Sequence, residues 1–407
     1  MRVRDPFAGE TIDEALALWF PGPKSETGED VAELQLHGGR AVVASVLSAL
    51  GKLEGLRLAE PGEFTRRAFE SGRLDLTAVE GLADLIYAET EAQRRQAFRQ
   101  LKGLLGDRAE HWRTSLIEAL ALVEAGIDFS DEADVPEDLI GPALTIAQNL
   151  RNEITKALAS ATRGERLREG LIVAIAGPPN AGKSTLLNRI ARREAAIVSP
   201  VPGTTRDVIE VHLDLDGYPV TLLDTAGIRE SDNPVEQEGI HRARQRAAAA
   251  DLVLWVEETG EKSSPQPPTV GKSASQAYWL IRNKTDLGSS KTPTKQINES
   301  ESQFILTFSI SALKGKGMNE FMDELSSYAR TYFAIDDSAL VTRARQRKLL
   351  EETLAALDRA SKEGIRGQED ILAEELRLAS RALGRLTGRV DVEDVLDVIF
   401  SEFCVGK

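Results

Sequence analysis

The sequence predicts a multidomain chain of α/β and all-α parts, in which a mostly parallel sheet with flanking helices is inserted into a helical domain. The segment from Leu76 to about Gly126 is rich in Ala, Leu, Glu and Arg, and the segment from about Ser338 to Phe400 has the same composition. Between these stretches, residues 171–330 alternate short β-branched runs with helical segments. A chain of 407 residues is also too long for one compact core.

These changes in composition and apolar pattern divide the chain into four predicted segments. Residues 1–75 mix short strands and a helix with turn clusters such as PGPKSETGED and HGG, which predicts a partial α/β domain. We expect the first part of the helical domain over 76–168, the inserted α/β domain over 169–333 and the second part of the helical domain over 334–407. The two helical parts are expected to share one core.

Apolar residues at helical spacing support the helical segments. The first helical part carries Trp112, Leu116, Leu120 and Val123. The second carries Leu349, Leu350, Leu354, Leu357, Leu376, Leu383 and Leu386. In the inserted domain, the runs LIVAIA, VTLLD, DLVLWV and FILTFS predict buried strands, and the polar stretches Thr259–Ala277 and Gly288–Ser302 predict loops.

The composition narrows the possible functions. A net charge of −15 disfavours a protein that coats nucleic acid through a global positive field, although a local RNA contact is compatible with it. The single cysteine excludes an intrachain disulfide, and no apolar run approaches the length of a membrane span, so we expect a cytoplasmic protein without a membrane segment. The histidines and the cysteine are not spaced as zinc ligands, so we expect any metal to accompany a nucleotide.

A phosphate-binding loop follows the first strand of the inserted domain. The sequence G-P-P-N-A-G-K-S spans Gly177–Ser184 between an apolar strand and an amphipathic helix, which is the context that a P-loop requires. Lys183 is placed to reach the β and γ phosphates, and Ser184 to ligate Mg²⁺. A plain glycine-rich turn is the alternative. The predicted nucleotide contacts here are Asn180, Ala181, Gly182, Lys183, Ser184 and Thr185.

Three further elements follow in the order that a GTPase needs. The motif D-T-A-G ends the strand VTLLD, so Asp224 can hold Mg²⁺ through water while the Gly227 N–H senses the γ phosphate. In N-K-T-D, Asp286 can accept two hydrogen bonds from guanine N1 and N2, which adenine cannot offer. The motif S-A-L matches the backbone contact to guanine O6. The predicted contacts are Asp224, Thr225, Ala226, Gly227, Asn283, Lys284, Asp286, Ser311, Ala312 and Leu313.

A switch loop is predicted between the P-loop helix and D-T-A-G. Thr205 is our choice to complete the Mg²⁺ shell, with Thr204 beside it. Ile228 stands where Ras-like proteins have the glutamine that positions the attacking water, so hydrolysis needs another water-orienting group and another positive charge. The predicted nucleotide contacts in this loop are Ser199, Pro200, Val201, Pro202, Gly203, Thr204 and Thr205.

The combination of P-N-A-G-K-S, P-G-T-T-R-D, D-T-A-G-I-R-E and a chain end F-C-V-G-K resembles the MnmE (TrmE) family of tRNA-modification GTPases. Upstream, G-E-D-V-A-E-L-Q-L-H-G-G, P-G-E-F-T-R-R-A-F and G-R-L-D-L are similar to the later part of the family's folate-binding N-terminal domain. The resemblance covers essentially the whole chain and implies that the chain starts inside that N-terminal domain. Glu26 stands where the family usually has an aromatic residue.

The resemblance implies a K⁺-stimulated GTP hydrolase that takes part in modification of the wobble uridine (U34) of tRNA, adding a carboxymethylaminomethyl-type group at C5. It also implies a tetrahydrofolate one-carbon donor, a FAD-dependent MnmG-type partner, a homodimer and a heterotetramer with that partner. K⁺ would contact Asn180, Ser199, Val201 and Thr204; Mg²⁺ would contact Ser184 and Thr205; folate would contact Glu33, Arg73 and Lys407; catalysis would use Glu236 and Cys404.

Several alternatives stay open from the residues alone. Cys404 is either an inert apolar side chain or a nucleophile, and Glu236 is either the water-orienting carboxylate or a surface residue. If one helix continues through Gly384 and Gly388, arginines at four-residue spacing form either a tRNA-backbone stripe or a solvated helix face: Arg377, Arg381, Arg385 and Arg389. A regulatory or ribosome-assembly GTPase is the alternative function, and a scaffold with incidental nucleotide binding is a third.

Overall fold

The computed structural model describes residues 1–128, 138–193, 210–224, 250–259, 276–287, 295–297, 305–333, 339–365, 368–390, 393–401 and 403. The chain divides into two compact units. The first unit contains residues 1–86, 97–158 and 345–407, and the second contains 87–96 and 159–344. The second unit combines the long segment 159–344, which lies between the two later segments of the first unit, with the short segment 87–96.

The N-terminal part of the first unit consists of two antiparallel strand pairs and two helices. Strands β1 (Arg2–Arg4) and β2 (Thr11–Glu14) form one pair, and β3 (Leu16–Phe20) and β4 (Val31–Gln35) form the other. Helices α1 (Arg40–Leu50) and α2 (Glu63–Glu70) follow. The prediction of a mixed α/β segment before the helical domain is therefore confirmed.

Most of the other described residues outside the sheet are helical. The helices are α3 (Leu76–Ile86), α4 (Glu91–Leu101), α5 (Gly106–Asp128), α6 (Ile140–Ala159), α10 (Ala344–Ile365), α11 (Glu369–Thr387) and α12 (Glu393–Ser401). One of these helices, α4, begins in the second unit and ends in the first. Both sequence-predicted apolar stripes contribute buried residues, among them Trp112 in α5 and Leu383 in α11. In the first unit, α3 packs its Leu76 and Val79 against Phe400 of α12, so the two predicted helical parts share a core.

A buried carboxylate joins helices that are far apart in sequence. Glu80 of α3 accepts hydrogen bonds from Arg345 Nε at 2.8 Å, from Arg345 Nη2 at 3.0 Å and from Gln346 Nε2 at 2.7 Å. Arg345 also donates to the carbonyls of Arg385 and Leu386 in α11. This network therefore connects α3, α10 and α11 at the point where the chain re-enters the helical unit.

The second unit is built on a sheet of seven described strands in the order β10-β11-β9-β8-β5-β7-β6. The strands are β5 (Leu171–Ala176), β6 (Glu210–Leu215), β7 (Tyr218–Asp224), β8 (Leu252–Glu258), β9 (Ala277–Asn283), β10 (Lys295–Ile297) and β11 (Leu306–Ser309). The five central strands are parallel, whereas β6 and β10 pair antiparallel at the two edges. The expected mostly parallel sheet is confirmed.

Helices α7 (Ala161–Glu169), α8 (Lys183–Arg193) and α9 (Met318–Phe333) accompany this sheet. Burial on both faces explains why the strands appear in the sequence as continuous apolar runs. An aromatic cluster fills one side, where Trp279 and Phe308 have ring centroids 5.4 Å apart and Phe321 meets Phe308 edge-on at 5.4 Å. The core therefore fixes β9, β11 and α9 relative to one another.

The prediction of a loop throughout Gly288–Ser302 is wrong at one point. Lys295–Ile297 forms the short edge strand β10, which pairs with β11. The segment K-Q-I is too short and polar to show strand periodicity, and its conformation depends on hydrogen bonds to a partner strand. In the described part of the chain, no helix is long and apolar enough to cross a membrane.

Replacing Glu80 with alanine is expected to destabilise the helical unit by about 3 kcal/mol, because it leaves a largely buried guanidinium without its carboxylate. Urea denaturation followed by circular dichroism measures this loss. Glu351→Ala is the control, since that carboxylate forms only an exposed i,i+4 pair with Arg347 and should cost less than about 0.5 kcal/mol. Equal losses in the two variants would contradict the assignment of Glu80 as the connecting group.

Candidate nucleotide-binding site

The P-loop leaves the carboxyl end of β5 and enters α8. Gly177 has φ 140° and Gly182 has φ 93°, in the region that favours glycine. A Cβ at Gly177 would lie 2.1 Å from the Val256 carbonyl oxygen, and one at Gly182 would lie 2.3 Å from Asn283 Nδ2. Both glycines are therefore required by close approach of neighbouring groups, which explains their spacing in the motif.

The first turn of α8 brings the phosphate-binding groups together. Lys183 Nζ donates to the carbonyls of Gly177 at 2.9 Å and Pro178 at 2.8 Å, so its ammonium lies inside the curve of the loop. Burial lowers the pKa of Lys183, and the charge of Asp224 opposes that shift. A partly desolvated cation in a loop at a helix N-terminus is a suitable partner for phosphate.

An oxygen-rich corner lies beside this lysine. Ser184 Oγ donates to Asp224 Oδ2 at 2.9 Å, and Asp224 is 1% exposed at the end of β7. Strands β5 and β7 are parallel neighbours with Ile175 opposite Asp224, so the sheet itself sets this proximity. A hydroxyl and a carboxylate are the hard oxygen donors that Mg²⁺ prefers, and the pair therefore fits that ion.

Asn283 connects three segments of the site. At the end of β9, its Nδ2 donates to the carbonyl of Ala181 in the P-loop at 2.9 Å, while its Oδ1 accepts the N–H of Ala312 at 2.9 Å. Its own carbonyl accepts hydrogen bonds from the N–H and the hydroxyl of Thr259. The side chain is buried, so each of these bonds satisfies a group that has little access to water.

The remaining two motifs meet each other. Ser311 Oγ donates to Asp286 Oδ1 at 2.5 Å, and this hydrogen bond is the main cause that lowers the pKa of Asp286. Asp286 is therefore ionised at neutral pH and acts only as an acceptor, as recognition of two guanine N–H groups requires. Lys284, with φ 63°, forms an ion pair with Glu258 at 2.6 Å.

The structure thus places together the described residues that the sequence assigned to the nucleotide. These are Asn180, Ala181, Gly182, Lys183, Ser184, Thr185, Asp224, Asn283, Lys284, Asp286, Ser311, Ala312 and Leu313. Glu33 on β4 and Arg73 in the turn after α2 belong to the other unit, and both are exposed. Outside the described residues lie Ser199, Pro200, Val201, Pro202, Gly203, Thr204, Thr205, Thr225, Ala226, Gly227, Glu236, Cys404 and Lys407.

Two features of the arginines differ from what the sequence suggested. Arg189 of α8 donates to the carbonyls of Ala312 and Leu313, a contact that sequence motifs did not indicate. The predicted stripe is not one helix face, because α11 ends at Thr387 and Gly388 follows with φ 86°. On α11, Arg377 pairs with Glu124 at 2.8 Å and Arg385 with Glu352 at 3.3 Å, and beyond the helix Arg389 pairs with Glu110 at 3.2 Å. These guanidinium groups are engaged with carboxylates, which weakens the interpretation of the stripe as a phosphate-binding surface.

The mostly parallel sheet, the P-loop and the motif residues Asp224, Asn283–Asp286 and Ser311–Leu313 at its carboxyl edge define a P-loop GTPase domain. The family model described as the MnmE helical domain matches residues 76–404, and the model described as the N-terminus of the GTP-binding protein TrmE matches residues 1–73. The chain therefore belongs to the MnmE family of tRNA modification GTPases.

Curated relatives agree with this assignment. A tRNA modification GTPase MnmE from a Bradyrhizobium species is 58% identical over 405 residues, which cover 100% of this chain and 88% of that protein. The protein of the same name from Rhodopseudomonas palustris is 57% identical over 410 residues, with coverage of 100% and 88%. Among solved structures, the G domain of the T. maritima FeoB iron transporter has a TM-score of 0.27 and 22% identity, covering 39% of this chain and 98% of that chain.

Asn283→Ala is expected to weaken GTP binding by roughly ten- to a hundredfold, because it removes the hydrogen-bond partners of Ala181 and Ala312 within the site. Titration with a fluorescent GTP analogue measures the effect. Asn188→Ala, at an exposed position on α8, is the control and should leave affinity within about twofold. Unchanged affinity in Asn283→Ala would show that this amide does not organise the site.

Proposed function

We propose that this chain hydrolyses GTP and takes part in the modification of the wobble uridine (U34) of tRNA. The observation that supports it most strongly is the Asn283 side chain, which joins the P-loop to the Ser311–Leu313 loop. This connection holds the phosphate-binding and base-binding elements at one edge of the sheet. The tRNA part of the proposal comes from the relatives, which are named tRNA modification GTPases.

Each described group has a chemical role in the proposed GTP site. Lys183 neutralises charge on the β and γ phosphates, and Ser184 and Asp224 would hold a Mg²⁺ ion that offsets further phosphate charge. Asp286 accepts hydrogen bonds from guanine N1 and N2, which excludes adenine because that base lacks both donors. The N–H of Ser311 donates to the Lys316 carbonyl and that of Ala312 to Asn283 Oδ1, so we assign the contact with guanine O6 to the N–H of Leu313. The switch residues Thr205 and Gly227 complete the contacts to Mg²⁺ and the γ phosphate.

Hydrolysis also requires a water-orienting group and a positive charge near the transferred phosphate. Ile228 has no hydrogen-bonding side chain, so we assign the orienting role to the carboxylate of Glu236. We assign the charge to a K⁺ ion that contacts Asn180, Ser199, Val201 and Thr204. Of these four, Asn180 lies among the described residues, where its side chain is exposed in the P-loop and accessible to an ion.

GTP hydrolysis is expected to be at least about tenfold faster in K⁺ than in Na⁺, since a lost transition-state charge contact of roughly 1.4 kcal/mol already gives that factor. Asn180→Lys should reduce this dependence because its ammonium places a fixed charge near the ion position. Single-turnover rates in the two salts give the comparison. Identical rates in the two salts would remove the ion from the proposal.

Glu236→Ala should abolish turnover while retaining GTP binding.

The modification chemistry is assigned to other parts of the chain and to partners. We propose a tetrahydrofolate derivative as one-carbon donor, contacted by Glu33, Arg73 and Lys407, and a FAD-dependent MnmG-type protein as partner. A homodimer and a heterotetramer with that partner follow from the same family resemblance. The carboxylate of Glu33 and the guanidinium of Arg73 are exposed and can pair with polar groups of a pterin or a glutamate tail.

Mass spectrometry of tRNA nucleosides from a strain that lacks this protein tests the proposed function. We expect loss of the carboxymethylaminomethyl-type group at C5 of the wobble uridine, with restoration by the intact gene. Lys183→Ala in the same complementation should fail to restore it, because GTP binding is lost. Unchanged modification in the deletion strain would refute the tRNA assignment, while GTP hydrolysis by the purified chain would still stand.

Deletion of Cys404–Lys407 is expected to leave GTP binding and hydrolysis nearly intact, since none of the nucleotide motifs is removed. It should eliminate wobble-uridine modification in cells, because we assign the tail to the modification site. Cys404→Ser separates chemistry from folding: modification retained with serine excludes a nucleophilic thiol. Normal modification after the full deletion would exclude the tail from that site.

A further inference from the structure

A cation on the second turn of α8 contacts the loop that follows β11. Arg189 Nε donates to the carbonyl of Ala312 at 2.8 Å, and Arg189 Nη2 donates to the carbonyl of Leu313. A guanidinium presents its N–H donors in one rigid plane, so two adjacent carbonyls bound to it fix both the position and the orientation of the loop.

Ala312 packs into the apolar core of the sheet domain, whereas the next residue, Leu313, lies at the surface. The Leu313 side chain is 66% exposed, so it contributes little packing. Ala312 N–H is held by Asn283 from one side, while the Ala312 and Leu313 carbonyls are held by Arg189 from the other. Gly315, with φ 81°, allows the chain to turn where a Cβ would lie 3.9 Å from Arg189 Cζ. The turn also has hydrogen bonds of its own, from the N–H groups of Lys314 and Gly315 to Ser311, so Asn283 and Arg189 position a turn that is already formed.

The same helix holds both ends of the proposed nucleotide site. Lys183 and Ser184 begin α8, whereas Arg189 lies one to two turns further along it. Thr185 and Arg189 are four residues apart, which places them on one face, and both line a groove of about 560 Å³ together with Ala312 and Leu313. Any displacement of α8 is consequently transmitted to the loop through two hydrogen bonds.

We propose that Arg189 is a positioning residue for guanine recognition. By binding the Ala312 and Leu313 carbonyls, it keeps the backbone N–H of Leu313 directed at O6 of the base, while the N–H groups of Ser311 and Ala312 donate to the Lys316 carbonyl and to Asn283 Oδ1. Arg189 acts through the loop and not by contact with the nucleotide. It therefore raises the specificity for guanine and the residence time of the bound nucleotide. This assignment rests on the proposed GTP site and adds to it a residue outside the four sequence motifs.

The test compares the full chain with its Arg189→Met and Arg192→Met variants. Dissociation of N-methylanthraniloyl-GDP is measured by stopped flow, and competition gives the affinities of GDP and of 2-aminopurine riboside diphosphate, which lacks O6. We expect Arg189→Met to bind GDP about tenfold more weakly and to release it faster. Its preference for GDP over the analogue should fall by a similar factor, because the analogue has no O6 contact to lose. Arg192, exposed on the same helix, serves as the matched control and should change neither value.

The ratio of the two affinities separates positioning from general stability. Equal weakening of both nucleotides, or an unchanged GDP affinity, would overturn the proposal. If Arg189→Met reduces the folded fraction, Arg189→Lys decides by the same ratio, and an intermediate preference is expected because an ammonium lacks the planar pair of donors. Binding of GDP no better than ADP by the unaltered chain would refute the proposed guanine site itself, and is thus distinguishable from failure of Arg189 alone.

Discussion

The Asn283 amide is the interaction on which the geometry of the site depends. It lies at the carboxyl end of β9, between the P-loop that follows β5 and the loop that follows β11. Parallel strands bring their carboxyl ends to one edge of the sheet, and loops at that edge can form a single ligand site. The sheet brings the two loops near each other. The distance between them is fixed by the Asn283 amide, which donates a hydrogen bond to one loop and accepts one from the other.

Other groups at this edge follow the same principle. Ser184 and Asp224 are adjacent because β5 and β7 are neighbours, and Ser311 reaches Asp286 because β11 and β9 are neighbours. The chain as a whole is strongly acidic, yet the site contains the buried ammonium of Lys183. Among the described residues, the phosphate-binding groups are therefore Lys183 and the backbone of the P-loop, while carboxylates engage Arg377 and Arg385 on α11 and Arg389 beyond its end.

Much of this arrangement could be predicted from the sequence because it depends on local signals. Buried parallel strands appear as apolar runs, and each motif directly follows such a run, so the strands and the edge at which Asp224, Asn283 and Ser311 meet were predictable. Contacts between residues that are far apart in the sequence could not be predicted in this way. The edge strand Lys295–Ile297 requires β11, and Glu80 meets Arg345 across most of the chain. Arg189 showed no signal, since an arginine on an amphipathic helix is usually solvated.

The GTP and XTP affinities of the unaltered chain and of Asp286→Asn show whether the site recognises guanine through the carboxylate of Asp286. Asparagine offers one acceptor and one donor, which match the N1–H and the C2 carbonyl of xanthine but leave a guanine N–H facing a donor. We predict that the substitution weakens GTP binding on the order of a hundredfold and strengthens XTP binding. An equal loss for both nucleotides, or unchanged GTP affinity, would contradict this account of base recognition.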